Sequence, residues 1–97
     1  KKLLKEIKYQ NGNEFLKKIY SYDKSQLLKV EKYVFKELKI ITDYFYDSLG
    51  NILQITDTFK DELMRYKVYT ENEEYYFDKN GIKISKDEYE AILSDYE

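Results

Sequence analysis

The side chains that could do chemistry in this chain are carboxylates, tyrosines and lysines, because the sequence contains neither histidine nor cysteine. The first absence removes the commonest general base and transition-metal ligand. The second removes thiolate nucleophiles, zinc–thiolate sites and disulfides. Catalysis by paired carboxylates needs two that converge in a cleft with separated pKa values. Asp43, Asp47, Asp57 and Asp61 are predicted at strand ends and turns, where carboxylates are normally solvated. We therefore predict no catalytic residue, no cofactor and no enzymatic activity.

One acidic stretch near the C-terminus has the composition of a calcium-binding loop. An EF-hand loop needs oxygen ligands at positions 1, 3 and 5, Gly at position 6 and Glu at position 12. With Asp78 at position 1, Ile82 falls at position 5, Lys83 at 6 and Tyr89 at 12. A β-hairpin followed by a capped helix explains the stretch better, so we predict no metal site.

Tyrosine is the unusual component, with 12 Tyr and 5 Phe but no Trp. One sheet with one short helix cannot cover so many rings, so some are expected on an open face; the alternative is that they rim the core. Tyr tolerates water while it anchors protein contacts, and nearby acids would steer it toward a basic partner such as a nuclease or toxin. The predicted partner-binding residues, on a sheet face or edge, are Tyr44, Tyr46, Tyr66, Tyr69, Glu71, Glu73, Glu74, Tyr75, Tyr76 and Asp78.

Charge changes sign along the chain. Residues 1–40 contain 11 Lys and 5 acidic residues, whereas residues 71–97 contain 3 Lys and 9 acidic residues. Such a sequence can fold into a mixed surface or into two patches, and we favour the mixed surface. The Lys-rich first half with interleaved aromatics is compatible with nucleic-acid binding. We keep that as a lesser alternative, because the net charge is −2 and the pI is 5.3.

The elements that must position these side chains are predicted as β-hairpins. The central hairpin spans residues 44–53, with an aromatic strand, a turn at 48–50 and a return strand. Asn11-Gly12 and Asn80-Gly81 mark two more hairpins, because both residue types tolerate the positive φ of a tight turn. In a strand over residues 62–70, successive side chains point to opposite faces. This alternation places Tyr66 on one face and Arg65, Lys67 and Tyr69 on the other.

Residues 25–41 fit two structures. Their apolar residues recur at helical spacing, yet several are β-branched, and β-branching favours strands. An internal repeat also favours strands, since Phe35 and Phe59, each followed by Lys, lie 24 residues apart, as do Asp23 and Asp47. We favour strand, turn and strand, with a helix as the alternative.

The C-terminus changes to a helical pattern. Ser85 and Glu88 have the spacing of a capping box, in which each side chain accepts a hydrogen bond from the other residue's amide. Tyr89, Ile92, Leu93 and Tyr96 then form one apolar stripe. The pattern predicts a helix over about 86–96.

The Tyr-x-Tyr-Asp-x-x-Gly-x-Ile/Leu pattern at 44–52 resembles the YD repeats of Rhs-type shell proteins. The series of short hairpins over about residues 20–84 also resembles the MORN-like repeats of YwqK-type antitoxin proteins. In size and acidity the chain is similar to bacterial immunity proteins and phage anti-CRISPR proteins. The repeat resemblance implies a β-meander, and the likeness in class implies a small inhibitor.

We therefore predict one mainly β (α+β) domain over residues 1–97: a twisted antiparallel β-meander of six to eight strands with one C-terminal helix. Its predicted function is that of a non-enzymatic protein-binding module, a small inhibitor of the immunity, antitoxin or anti-CRISPR type. The alternative is a structural fragment of a surface or secreted YD-like repeat protein. We expect no membrane contact, and homo-oligomerisation through an unpaired edge strand fits both interpretations. The sequence does not fix the compartment, although we favour the cytoplasm.

Overall fold

A computed structural model describes residues 4–94, which form one antiparallel sheet and one short helix. The sheet order follows the chain order, so the predicted meander is confirmed, with eight strands. Among residues 4–94, no helix has the length and apolar character needed to span a membrane. The elements are β1 (Lys5–Gln10), β2 (Asn13–Asp23), β3 (Gln26–Val34), β4 (Glu37–Tyr46), β5 (Ile52–Phe59), β6 (Glu62–Tyr69), β7 (Glu74–Asp78), β8 (Lys83–Ile84) and α1 (Lys86–Ile92).

The segment that fitted either a helix or a hairpin forms β3, a turn and the start of β4, so the preference for strands is confirmed. The turn residues Phe35 and Lys36 have φ values of 50° and 69°. A two-residue hairpin turn with positive φ at both positions matches the right-handed twist of its strands. The turn therefore forms although Phe and Lys are strained in this conformation.

The predicted capping box is also present. The Glu88 amide donates to Ser85 Oγ and the Ser85 amide donates to Glu88 Oε1, each at 3.1 Å. The helix that begins there ends at Ile92, with Leu93 as its C-cap, and is thus shorter than predicted. Residues 95–96, the end of the predicted helix, lie outside the described residues.

Two turns repeat the same hydrogen-bond pattern. Asp47 Oδ1 accepts from the amides of residues 49 and 51, and Asp78 Oδ1 accepts from the amides of residues 80 and 82. Gly50 and Gly81 occupy the left-handed position, with φ values of 89° and 79°. The turn after Asp23 differs, because it contains only residues 24 and 25.

A β-bulge lies on the second strand of each of the first five hairpins. Alternate bulges are 24 or 25 residues apart, so the internal repeat has a structural counterpart in pairs of strands. Phe35 and Phe59, which the sequence repeat pairs, are not at equivalent positions in the structure. Phe35 is the first residue of a turn, whereas Phe59 is the last residue of β5, so the two are offset by one residue. Each bulge increases the local right-handed twist. The residues left without a partner in these registers are Phe15, Leu28, Lys39, Leu53 and Met64.

The sheet has two faces that are covered unequally. Helix α1 packs mainly on β6 and β7, on the face that we call the helix-side face. In each strand, alternate residues point to this face, and the others point to what we call the far face. Among the described residues, the buried apolar side chains are Ile40, Tyr89 and Leu93, all on or beside the helix-side face. The core is therefore small, and most of the sheet remains open.

The meander converts the charge pattern of the sequence into a lateral gradient. Because neighbouring strands are consecutive in the chain, the Lys-rich stretch of residues 4–40 occupies β1 to the start of β4. The acid-rich stretch of residues 71–94 occupies the opposite edge with α1. The expectation of a mixed surface is therefore wrong across the sheet, although each strand still presents charges on both faces.

Gly81 and Gly12 allow the turn geometry to be tested with matched substitutions. Their φ values are 79° and 80°, so Ala at either position costs about 1 kcal/mol in backbone strain. A Cβ at Gly81 would also lie 3.3 Å from the Tyr66 hydroxyl oxygen, whereas a Cβ at Gly12 meets nothing within 4 Å. We expect Gly81→Ala to lower the free energy of unfolding in urea more than Gly12→Ala. Equal losses would show that the Tyr66 contact does not constrain this turn.

Candidate functional site

The centre of the helix-side face is a buried carboxylate. Asp57 is 3% exposed. Arg65 Nε donates to Asp57 Oδ2 at 2.8 Å, and the Thr42 hydroxyl donates to Asp57 Oδ1 at 2.5 Å. The three residues lie directly opposite one another on β4, β5 and β6. Since a buried charge is tolerated only when it is paired and hydrogen-bonded, this alignment is what allows Asp57 to be buried.

Arg65 also joins the helix to the sheet. Its Nη1 donates to the main-chain carbonyl oxygen of Tyr89 at 2.7 Å, and its guanidinium carbon lies 4.1 Å from the centroid of the Tyr89 ring. The Tyr89 ring packs against Tyr76, with centroids 5.0 Å apart. Burial raises the pKa of Tyr89, against the opposing effect of the Arg65 charge. From β6, the Arg65 side chain thus contacts both β5 and α1.

Beside this cluster, the helix-side face contains a cavity of about 290 Å³. Burial raises the pKa of Tyr20, with a further contribution from Glu6, and burial together with Asp57 raises the pKa of Tyr44. Both hydroxyls therefore keep their protons at neutral pH. The lining combines cations, one carboxylate, hydroxyl groups and an apolar floor: Lys18, Lys32, Arg65, Asp57, Tyr20, Tyr44, Thr42, Val30, Ile40 and Leu93.

The tyrosines predicted on one face or edge divide between the two faces. Tyr44, Tyr46, Tyr69 and Tyr76 lie on the helix-side face, because they alternate in register with the residues around Asp57 and Arg65. Tyr66 and Tyr75 lie on the far face. Tyr75 and Tyr76 are consecutive in one strand and therefore cannot share a face. The prediction that all six form one surface is thus wrong.

Several of these tyrosines make specific contacts within the sheet. The Tyr46 hydroxyl donates to the carbonyl oxygen of Leu27 at 2.6 Å. The Tyr76 hydroxyl donates to Glu74 Oε2 at 2.7 Å, which raises the pKa of Tyr76 to about 12. On the far face, Tyr66 stacks on Phe77 with a centroid separation of 4.9 Å. All six side chains are half-buried, so each also presents part of its surface to solvent.

The predicted acidic residues also separate into two places. Glu71 and Glu73, in the loop between β6 and β7, and Glu74, which begins β7, are exposed at one end of the sheet. Asp78 lies at the other end of β7, where its carboxylate caps the following turn. The structure therefore groups the three glutamates and excludes Asp78 from that group.

A second, wider groove brings one of the glutamates, Glu71, together with one helix-side tyrosine, Tyr69. It has a volume of about 820 Å³ and lies between the turn after β4 and the loop after β6. Tyr69 and Leu53 contribute apolar surface to its lining, and Asp47 and Glu71 contribute carboxylates. Of the predicted partner-binding residues, Tyr69 and Glu71 thus share one concave surface.

Sequence reasoning missed the residues of the buried cluster. Asp57 was expected to be solvated near a turn, yet it lies inside β5 and is buried. The sequence did contain a signal for their pairing. Asp57 and Arg65 carry opposite charges, and they lie at nearly equal distances before and after the turn at 60–61. The register shift between Asp57 and Thr58, which brings the pair opposite each other, has no such signal.

Within residues 4–94, no group of three acidic side chains converges as a metal site. Comparison of the chain with protein-family models, curated proteins and solved structures finds no match.

The Asp57–Arg65 pair yields a first prediction for the site. Asp57→Leu and Arg65→Met should each destabilise the fold by about 3–5 kcal/mol, because each leaves the other charge buried and unpaired. The double variant should be less destabilised than the sum of the two losses. Urea unfolding of the four proteins measures the coupling, and strictly additive losses would show that the charges do not depend on each other.

A second prediction concerns alkaline pH. The raised folded-state pKa of Tyr76 means that the unfolded chain loses this proton first, from about pH 10. The associated stability is intact below that pH and is lost as the pH rises through the folded value of about 12. Between pH 9 and about 11, we expect the free energy of unfolding of Tyr76→Phe to decline less than that of the unsubstituted protein. A decline identical to that of the unsubstituted protein would contradict the assignment.

Proposed function

We propose that this chain is a non-enzymatic protein-binding module of the small-inhibitor type, which docks a basic protein against its helix-side face. The observation that carries the proposal is excess surface. The chain exposes 7013 Å². A folded monomer of 11.9 kDa is expected to expose only about 6,000 Å². The excess of about 1,000 Å² is close to the roughly 800 Å² that each partner buries in a standard interface.

The wider groove supplies a docking place with the right chemistry. Tyr69 and Leu53 offer apolar surface there, and Leu49, which is 85% exposed, lies in the adjoining turn after β4. Half-exposed tyrosine rings are well suited to anchor a partner, because they combine a large apolar area with a polar tip. These features support a protein partner rather than a small ligand at this end of the sheet.

The charges beside the groove support a basic partner. Glu71, Glu73 and Glu74 are exposed, and no basic residue interrupts the stretch from 71 to 78. Such a patch would accelerate encounter with a cationic surface through long-range attraction. A nuclease or toxin whose active site is cationic would be blocked by simple occupation, which requires no chemistry from the inhibitor.

A second candidate is a structural segment of a repeat protein of the YD type. The recurring bulges and the two identical Asp-x-x-Gly turns favour it, since both are properties of a repeated strand pair. This candidate needs no partner for the groove. The two candidates therefore differ in whether the acidic end of the sheet is functional.

The test compares two triple substitutions with the same change of charge. The first replaces Glu71, Glu73 and Glu74 with Lys, and the control replaces Glu37, Asp61 and Glu62, exposed acids at the other end of the sheet. Both variants and the unsubstituted protein serve as baits in one host lysate. A basic protein retained by the control but lost by the first variant would then be purified for kinetic measurements.

The proposal predicts that the first variant associates with that protein at least about tenfold more slowly at low salt, whereas the control changes much less. The difference should shrink as salt rises, because screening weakens the attraction. If no protein distinguishes the two variants, or if both slow association equally, a specific acidic docking surface is ruled out.

A further inference from the structure

The sheet has one long open edge, formed by β1. It ends at β1 on one side and at β8 on the other. β8 contains only two residues, and α1 begins two residues after it, so this edge offers little backbone for pairing. β1 contains six residues, and among residues 4–94 its one neighbouring strand is β2. The unpaired amide and carbonyl groups of such a strand form a template for a further strand.

The pairing with β2 determines which main-chain groups face the open edge. In an antiparallel pair, residues that hydrogen-bond to the neighbour alternate with residues that point away from it. The Tyr20 amide donates to the Leu4 carbonyl oxygen at 2.9 Å, so the even-numbered residues from 4 to 8 point toward β2. The residues whose amide and carbonyl groups point to the open edge are therefore Lys5, Ile7 and Tyr9.

The order of side chains along β1 is self-complementary about Ile7. A second β1 can pair with the first in antiparallel orientation, with a two-fold axis at Ile7. Each Glu6 then lies opposite Lys8 of the second copy. Each Lys5 lies opposite Tyr9 of the second copy, and the two Ile7 residues face each other. Opposite charges in such cross-strand positions stabilise the pair.

Other positions of the axis lack this match. An axis at Glu6 places two carboxylates directly opposite each other, and an axis at Lys5 or Lys8 does the same with two ammonium groups. An axis at Tyr9 pairs only residues 8–10 within the strand, since the turn follows. The axis at Ile7 therefore combines a long overlap with the absence of like charges in opposite positions.

Glu6 already belongs to a row of polar groups on the helix-side face. Its Oε1 accepts a hydrogen bond from the Tyr20 hydroxyl at 3.4 Å, and Lys18 lies opposite it on β2. Lys8 of the second copy approaches from the outer side of β1. A carboxylate accepts several hydrogen bonds, so Glu6 can interact with both neighbours. The pairing thus extends a row in which positive and negative charges alternate.

We propose that two copies of this chain form a dimer in which β1 pairs with β1 about a two-fold axis at Ile7. The two sheets become one continuous sheet, with both helix-side faces on the same side. Both copies of α1 lie at the outer edges, as do the acidic stretches of residues 71–94. The groove used by the proposed inhibitor function therefore stays open, and each proposal can fail without the other.

Sedimentation equilibrium of the full chain measures the association, from about 1 μM to about 1 mM protein. Salt at about 0.15 M screens repulsion between the two Lys-rich halves beyond about 8 Å. We expect a monomer–dimer equilibrium without larger species, because a two-fold interface closes on itself. A chain that stays monomeric over this range, or that assembles beyond the dimer as a head-to-tail contact would, contradicts the proposal.

Charge variants test the register. Lys8→Glu places carboxylates opposite each other across the interface, and Glu6→Lys places ammonium groups there. We expect each variant to dimerise at least about tenfold more weakly. The control Lys36→Glu makes the same change as Lys8→Glu in an exposed turn, and should leave dimerisation unchanged.

A mixture of the two charge variants supplies a rescue. In the mixed dimer of Lys8→Glu with Glu6→Lys, each carboxylate again lies opposite an ammonium group. We therefore expect the equimolar mixture to dimerise more tightly than either variant alone. A mixture that associates no better than its components shows that these residues are not opposite each other.

Ile7→Pro tests the edge without relying on charge, and remains informative if Glu6→Lys fails to fold. The Ile7 amide points away from β2, so proline there removes no hydrogen bond within the sheet. It does remove the central donor of the proposed interface. We expect Ile7→Pro to remain folded, by circular dichroism, and to be monomeric. A folded Ile7→Pro that dimerises as the unsubstituted chain does overturns the proposal.

An introduced cysteine reports the position of the axis, because the chain has none of its own. Opposite residues of a hydrogen-bonded pair have Cα atoms about 5.5 Å apart, which a disulfide can span. Ile7→Cys should therefore cross-link to its own copy under mild oxidation. Tyr9→Cys is the control, because its two copies would lie about 13 Å apart along the paired strands. Equal cross-linking of the two variants contradicts an axis at Ile7.

Discussion

The buried ion pair between Asp57 and Arg65 is the interaction on which the rest of this structure depends. A single-layer sheet with one short helix buries little apolar surface, and the helix, at seven residues, is too short to be stable alone. Arg65 reaches the helix through the Tyr89 carbonyl oxygen and the sheet through Asp57. The pair therefore links the covered part of the sheet to its centre.

The same pair determines which parts of the helix-side face remain available. Arg65 and Thr42 engage both carboxylate oxygens of Asp57, which allows this side chain to be buried at the centre of the face. By contacting the Tyr89 carbonyl oxygen, Arg65 holds α1 beside β6 and β7.

The sequence was sufficient to predict local structure. Asn-Gly turns, alternation along β6 and the Ser85–Glu88 capping box are determined by residues close together in the chain, and all are present. The even spacing of hairpins was also enough for the meander. The segment at 25–41 was harder, because its side-chain spacing fits a helix while its β-branched content favours strands.

The candidate site was less predictable, because it depends on register. A bulge shifts the pairing by one residue, and the shift beside Asp57 brings this carboxylate opposite Arg65 and into the interior. Nothing in the local sequence marks that bulge. The division of the tyrosines between two faces, in contrast, follows from alternation alone: Tyr75 and Tyr76 are adjacent, and Tyr66 and Tyr69 are three positions apart.

Native-state hydrogen exchange of the helix amides tests the central role of Arg65 most directly. The amides of residues 89–92 should be protected in the unsubstituted protein with opening free energies similar to those of β5 and β6. In Arg65→Met, their protection should fall well below that of the sheet. If the helix amides already exchange much faster than those of β5 and β6 in the unsubstituted protein, the Arg65 contacts do not hold the helix on the sheet, and the central role of the ion pair is contradicted.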